Sequence, residues 1–135
     1  MATERLNPDA LAAPVMDLYA QVVVARGTRH VCIAGQVAID AAGNLVGDGD
    51  YAAQARQAWL NIKNAVAAAG GTGHDITRYS INVVDHRPEL VEVIYSAGKD
   101  VFENEFPKAA STLIGVATLA LPGWLIEIEA EAILD

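Results

Sequence analysis

The sequence is poor in cysteine and in basic side chains. Cys32 is its single cysteine, so a disulfide within the chain is excluded, and this usage is typical of a reducing compartment. Nine Lys and Arg residues stand against 17 Asp and Glu residues, which gives a formal net charge of −8. Because this charge repels nucleic-acid phosphates and anionic lipid headgroups, nucleic acid and membranes are disfavoured as partners.

Long uninterrupted apolar segments are missing as well. Charged residues, Gly or Pro interrupt each apolar run before it reaches about 20 residues, the length that a transmembrane helix requires. The N-terminal stretch carries Glu4, Asp9 and Asp17, and it lacks the basic start and apolar block of a secretory leader. We therefore expect a soluble protein of the cytoplasm.

What the sequence does contain is enough apolar material for one hydrophobic core. The chain has 135 residues, of which 53% are hydrophobic, and this length suits a single domain covering residues 1–135. Residues 1–17 include Pro8 and Pro14 and few periodic apolar positions, so we expect an irregular N-terminal arm. Regular structure is then expected to begin near Tyr19.

Local patterns predict five strands and two helices. The strands are rich in β-branched residues or alternate apolar with polar side chains, and they cover residues 19–25, 30–39, 76–85, 111–119 and 124–134. One helix, capped by Asp48 or Asp50, repeats apolar residues at steps of three and four as far as Ala69, and Gly70 ends it. A second helix is expected from about Pro88 to Glu105.

The order strand, strand, helix, strand, helix, strand, strand predicts an α+β domain. We expect a single mixed β-sheet with two helices on one face, and the last two strands paired across the turn at Pro122 and Gly123. The other face of that sheet would then be uncovered. Four apolar residues are candidates for that face: Ile39, Val83, Val116 and Leu125. Further copies of the same chain are expected to cover it.

Four blocks of the sequence, in their order and spacing, resemble the reactive intermediate deaminase (Rid/YjgF-like, endoribonuclease L-PSP-like) family. The blocks are IAGQVAID at 33–40, AAQARQAWLNIKNAVAAAG at 52–70, a strand ending in NVVD at 85, and IEIEAEA at 126–132. The resemblance implies a chorismate-mutase-like fold and a homotrimer shaped like a barrel, with clefts at the subunit boundaries. It also implies small-molecule ligands, hydrolysis of enamines or imines, and neither a metal nor a cofactor.

The resemblance assigns four residues to such a cleft. Tyr19 matches a tyrosine whose hydroxyl lines the cleft, although a tyrosine at a strand start also suits an interface. Ala34 and Gly35 match a small residue and a glycine that allow close approach of a ligand, and a glycine here also suits a β-bulge. Glu127 matches the acidic residue taken to position or deprotonate the hydrolytic water. Alternation puts it in a row with two further glutamates, and such rows are commonly just solvated.

The deaminating members of the family bind a substrate carboxylate through an arginine, and this sequence lacks that arginine. Depending on a one-residue shift in the alignment, Ala110 or Ser111 stands in its place, and Lys108 is the nearest cation. Losing this charge-assisted hydrogen bond costs about 1.5–3 kcal/mol, so carboxylate binding is expected to weaken by about tenfold to a hundredfold. Ser111 and Thr112 offer hydroxyl donors to a ligand instead, or are edge hydroxyls bonded to the backbone.

Other polar and reactive side chains are not expected to take part. Cys32 is expected to be a small buried apolar residue with no activating cation beside it. The three histidines have no metal-ligand spacing, so no metal site is predicted. Gln54 falls on the polar side of the first helix, away from the core.

Three functions remain open from the sequence. The first is hydrolysis of an enamine or imine with altered substrate choice, which would depend on Tyr19, Gly35 and Glu127. The second is non-catalytic binding or sensing of a small metabolite, which the missing arginine favours. The third is the ribonuclease or translation-inhibitor role attached to the family. The formal net charge of −8 disfavours this role, because it repels RNA phosphates.

Overall fold

Six strands and two helices make up the part of the chain that the computed structural model describes, residues 3–135. In chain order they are β1 (Thr3–Leu6), β2 (Val22–Ala25), β3 (Arg29–Gln36), α1 (Tyr51–Ala68), β4 (Ile76–Val84), α2 (Leu90–Phe102), β5 (Ala110–Val116) and β6 (Ile126–Leu134). One-turn 3-10 helices lie at Val15–Asp17, Gly73–Asp75 and Glu103–Glu105. Each predicted strand and helix is present with somewhat different bounds, and β1 is an additional strand.

Four of the strands form a mixed sheet in the order β3-β6-β4-β5, on which the two helices pack, and the predicted α+β class is confirmed. β6 is antiparallel to both β3 and β4, whereas β4 and β5 are parallel. The predicted pairing of the last two strands is wrong, because β4 lies between β5 and β6. Helix α2 connects β4 to β5 as a crossover, and such a crossover returns the chain to the same sheet as a parallel strand.

The N-terminal arm is more ordered than the sequence predicts. β1 pairs antiparallel with β2, from Thr3 opposite Ala25 to Leu6 opposite Val22, so β2 does not pair with β3. The prediction that residues 1–17 are irregular is therefore wrong for β1, while residues 1 and 2 lie outside the described part of the chain. A strand of four residues is too short for its alternation to be recognised in the sequence.

Trp59 of α1 is central to the core between the helices and the sheet. Its side chain is fully buried, and its Nε1 donates a hydrogen bond to the backbone oxygen of Ile94 in α2 at 3.0 Å. The Tyr79 ring meets the indole edge-on at a centroid distance of 5.1 Å. The indole also fills the space beside Gly98, where an added Cβ would be 2.8 Å from Trp59 Cε2. Gly98 is a poor helix former, but it lets α1 and α2 approach this closely.

Alternation along β6 separates the two faces of the sheet. Ile126, Ile128, Ala130 and Ala132 are buried toward the helices, whereas Glu127, Glu129 and Glu131 lie on the opposite side, which we call the open face. Val83 was expected on the open face, but it is fully buried in the core, and Leu125 packs against the core as well. The expectation is wrong for these two residues, because the alternation of β4 turns its valine inward.

Candidate functional site

A β-bulge in β3 contains Ala34 and Gly35, and Gly35 lies against Glu127; we call these three residues the Glu127 group. The pairing of β3 with β6 shifts between Ile33 and Gln36, so Ala34 and Gly35 together stand opposite one residue of β6, Glu129. An added Cβ at Gly35 would be 2.7 Å from the Glu127 Cδ, so a glycine is what leaves room for the carboxylate. The structure thus brings Gly35 and Glu127 together, and Ala34 precedes Gly35 in the bulge.

Glu127 differs from its two neighbours on the open face in its hydrogen bonding. Glu129 accepts a hydrogen bond from Ser80 Oγ at 3.0 Å, and Glu131 Oε2 lies 3.1 Å from His30 Nε2. Glu127 is half-buried and has no hydrogen-bond partner among residues 3–135. Its carboxylate oxygens are therefore available to hold a water molecule or a ligand.

Two side-chain amides of α1 hold the backbone on either side of the Glu127 group. Gln54 is fully buried; it donates to the backbone oxygen of Gly123 and accepts from the backbone N–H of Leu125, both at 2.9 Å. Asn61 donates to two backbone oxygens just beyond β3, at 3.0 and 2.9 Å. The expectation that Gln54 lies away from the core is wrong, because the loop leading into β6 covers this part of α1 and needs polar partners for its backbone.

A second group of residues surrounds a cavity of about 250 Å³ beside the start of β5. Seven uncharged residues line it: Val15, Leu18, Tyr19, Val91, Tyr95, Ser111 and Leu113. Three of them carry hydroxyl groups, and we call the space the hydroxyl cavity. The Tyr19 hydroxyl accepts a hydrogen bond from the Val15 N–H at 3.3 Å, which leaves its own proton for a ligand or a water molecule.

Tyr95 of α2 completes this cavity and was not among the predicted site residues. Its hydroxyl is 3.3 Å from the Ser111 Oγ, and its side chain is nearly fully buried. The Tyr79 hydroxyl lies close to both, buried and without a hydrogen bond of ordinary geometry. Burial, and then the proximity of Tyr95, raises the pKa of Tyr79 well above its usual range. One feature of the sequence could have indicated that Tyr95 faces the sheet. It follows Val91 by one helical turn, and Val91 lies on the predicted apolar stripe of this helix.

The parallel pairing of β5 with β4 assigns residues 110–112 to different faces of the sheet. Ser111 stands opposite the buried Tyr79 and points to the helix side, whereas Ala110 and Thr112 lie on the open face. Two positions were left open for the missing arginine. Of these, Ala110 shares the face of Glu127 and Ser111 does not.

Lys108 does not line the hydroxyl cavity. Its Nζ donates to Asp17 Oδ2 at 2.7 Å, and it lines a separate cavity together with Arg5 and Lys99. The hydrogen bond from Lys108, and then its charge, lowers the pKa of the Asp17 carboxyl. The cation nearest to the arginine position in the sequence is therefore engaged with Asp17.

The hydroxyl cavity and the Glu127 carboxylate lie on opposite faces of the sheet within one copy of the chain. Ser111 of the cavity pairs with Tyr79, which is buried toward the helices. Glu127 pairs with Asn82, and its side chain lies on the open face. The sheet therefore stands between the two groups, and one small ligand does not contact both within a single copy. Because β3 and β5 are the edges of this sheet, each group is close to an edge that another copy could approach.

Cys32 is exposed on the open face, contrary to the expectation of a buried thiol. It stands opposite the outward-facing Glu131 in the register of β3 and β6, and its Sγ is 4.0 Å from His30 Nε2. Over residues 3–135, no three His, Cys, Asp or Glu side chains come close enough to hold a metal ion. Neither helix in this part of the chain has the length and apolar character needed to cross a membrane.

Comparison with known proteins gives consistent matches over most of the chain. A profile of the protein family described as Endoribonuclease L-PSP matches residues 10–134. A protein of Dermatophagoides farinae named 2-iminobutanoate/2-iminopropanoate deaminase is 27% identical, with 100% of each chain covered. A protein of the same name from Capra hircus is 28% identical over 96% of this chain and 89% of its own. The crystal structure of a Rid-family protein of unknown function from Yersinia pestis is 39% identical, covers 99% of this chain and 100% of its own, and superposes with a TM-score of 0.90.

Proposed function

The chain belongs to the Endoribonuclease L-PSP family, that of the Rid/YjgF-like proteins, and on this basis we propose that it hydrolyses a small enamine or imine to a carbonyl compound and ammonia. The names of the two curated deaminases support this class of reaction. The proposal depends on one observation above all. The Glu127 carboxylate lies over Gly35 and has no hydrogen-bond partner in the described part of the chain.

The proposed reaction needs a carboxylate that can take up and return a proton. Protonation of an enamine carbon gives an iminium ion, and a water molecule adds to the iminium carbon. Glu127 takes a proton from this water as the C–O bond forms and returns it to the nitrogen. The C–N bond then breaks as the new hydroxyl group gives up its proton, so the iminium ion and one water give one carbonyl compound, one ammonia and one proton, which replaces the proton taken up at the start. Tyr19 serves as a hydroxyl donor that orients the reacting group or the water.

We propose that each site is completed by a second copy of the chain in a homotrimer. The separation of the two groups within one copy supports this arrangement, because neither group alone contains both a ligand cavity and a free carboxylate. In the proposed trimer, the β5 edge of one copy lies beside the β3 edge of the next. The hydroxyl cavity, Ala110 and Thr112 then face Ala34, Gly35 and Glu127 of the neighbouring copy.

The proposed substrate differs from the 2-imino acids named for the curated relatives. Ala110 shares the face of Glu127 but supplies no charge to a substrate carboxylate. Lys108 is held by Asp17 and lines another cavity. A carboxylate at this site would therefore lack the charge-assisted hydrogen bonds that make such contacts strong.

Ammonia release tests the proposal. Amine oxidases and amino-acid oxidases generate neutral and carboxylate imines in the assay, and the rate of ammonia release is compared with that in buffer. We expect Glu127→Gln to lower the acceleration by about 100-fold or more, the usual contribution of a positioned acid or base. Glu129→Gln, the matched change next to it on the open face, should retain the acceleration. Equal rates for wild type and Glu127→Gln, or no acceleration with any imine, would contradict the proposed hydrolysis.

A second candidate function is binding of a small metabolite without catalysis. The uncharged Ala110 favours it, since a deaminase of 2-imino acids would gain from a cation at this position. In this case small neutral or acidic compounds would raise the melting temperature by mass action, while ammonia release stayed at the buffer rate. Failure of every compound to stabilise the protein would leave binding without support.

A further inference from the structure

The hydroxyl cavity combines apolar walls with a small set of uncharged polar groups. Leu18 and Leu113 are among its apolar residues, and Tyr19, Tyr95 and Ser111 supply its hydroxyl groups. We infer that this cavity binds a small neutral ligand with an apolar body and a carbonyl or imine group, and that the Tyr95 hydroxyl makes the cavity selective for such a ligand. The inference deepens the proposed function, on which it rests only for the identification of the ligand as the substrate.

The hydroxyl protons of Tyr95 and Ser111 indicate which kind of group the ligand must contain. The Tyr95 hydroxyl and the Ser111 Oγ are 3.3 Å apart, so one of these two groups donates to the other. Whichever group donates, the other retains its own proton. That proton requires an acceptor, and the nearby Tyr79 hydroxyl is also without a hydrogen bond of ordinary geometry. A carbonyl oxygen or an imine nitrogen is such an acceptor.

The same surroundings disfavour a negatively charged ligand. All seven residues that line the cavity are uncharged, and Lys108 is bound to Asp17 at 2.7 Å outside it. An anion moved from water into this space would lose hydration without gaining a cation in return. The chain as a whole carries a formal net charge of −8, which adds a repulsive field.

The Tyr95 hydroxyl is held in a fixed position by its ring. The side chain is 5% exposed, and its ring lies between those of Tyr79 and Phe106 at centroid distances of 6.5 and 6.2 Å. A donor that is already fixed loses little conformational entropy when a ligand arrives. Phenylalanine at this position would keep the ring packing and remove the hydroxyl alone, so Tyr95→Phe separates hydrogen bonding from stability.

The test uses 2-oxobutanamide and 2-oxobutanoate, which match in size and differ in charge. Their affinities are measured by calorimetric titration of the intact protein, as wild type and as the Tyr95→Phe and Ser111→Ala variants. We expect the amide to bind at least about tenfold more tightly than the acid. Tyr95→Phe should weaken binding of the amide by about 3- to 10-fold, the effect of one hydrogen bond, and leave binding of the acid unchanged. Ser111→Ala should act in the same direction.

Three outcomes would overturn the inference: equal affinities for the two compounds, tighter binding of the acid, or no detectable binding of the amide. An amide affinity that Tyr95→Phe leaves unchanged would remove Tyr95 from the role assigned to it.

Glu127→Gln separates this inference from the proposed hydrolysis. If wild type binds the amide selectively but releases no ammonia from any imine, the neutral site stands and the hydrolysis fails. If ammonia is released from carboxylate imines alone and Glu127→Gln stops it, the hydrolysis stands and the neutral site fails.

Discussion

The Glu127 carboxylate occupies the space that a side chain at Gly35 would fill, since an added Cβ would be 2.8 Å from Glu127 Oε2. We therefore expect Gly35→Ala to push the carboxylate aside. Misplacement by about 1 Å can cost about 100-fold in rate, and ammonia release should fall on that order. The melting temperature should change little, because only the end of a flexible side chain has to move. In the Glu127→Gln background, Gly35→Ala should cause no further loss; a full additional loss would show that the contact does not act through Glu127.

Gln54 should matter more to stability than a polar helix residue usually does. Gln54→Leu keeps a similar volume but removes three hydrogen bonds to the backbone of Gly47, Gly123 and Leu125. Buried backbone groups without partners cost about 1–3 kcal/mol each, so the free energy of unfolding in urea should fall by at least about 2 kcal/mol. Arg56→Leu, at an exposed position of α1, should change it by less than about 0.5 kcal/mol. A loss as small for Gln54→Leu would show that the three hydrogen bonds of Gln54 do not stabilise the fold.

A single methyl group at position 98 should destabilise the helix pair. An added Cβ at Gly98 would be 2.8 Å from Trp59 Cε2 and 2.8 Å from Phe106 Cε1, and overpacking of this kind costs about 1–3 kcal/mol. Trp59→Phe removes the fused ring, so Gly98→Ala should cost less in that background. The double-mutant cycle in urea should give a coupling of at least about 0.5 kcal/mol. Strictly additive effects would argue against this contact.

The positions of helices and strands could be predicted because apolar periodicity and capping are local properties of the chain. Asp50 was one of the two predicted caps of α1, and it accepts from the Ala53 N–H at 3.1 Å. Gly70, at φ 94°, follows the end of that helix. The neighbours of each strand could not be predicted in the same way. A turn at Pro122 and Gly123 shows where the chain bends, but not that β4 lies between the strands on either side of the bend.

The candidate site could be predicted in part. The family resemblance named Gly35 and Glu127, which the structure brings together across a β-bulge. The role of Tyr95 could not be predicted, because its hydroxyl meets Ser111 only after α2 has packed beside β5. The choice between Ala110 and Ser111 depends on the face to which each side chain turns. That orientation follows from the pairing of β5 with β4, which is not a local property of the sequence.

Restoring a cation at position 110 should change the ligand preference. Ala110→Arg places a guanidinium group on the open face, where it can meet a carboxylate, and should raise the affinity for 2-oxobutanoate by about tenfold or more. Ser111→Arg directs the same group into the helix side, beside Tyr95, and should lower the melting temperature without improving carboxylate binding. Calorimetric titration and thermal melting distinguish the two variants. An unchanged affinity for 2-oxobutanoate in Ala110→Arg would place the missing arginine elsewhere.

Subunit complementation tests most directly whether two copies of the chain share each site. Tyr19→Ala damages the hydroxyl cavity and Glu127→Gln removes the carboxylate, so each variant alone should fail to accelerate ammonia release. If each site takes its cavity from one copy and its carboxylate from the next, trimers reassembled from an equal mixture should recover about a quarter of the wild-type rate. An inactive mixture despite confirmed exchange of subunits, or a wild-type protein that is active as a monomer, would contradict the shared site.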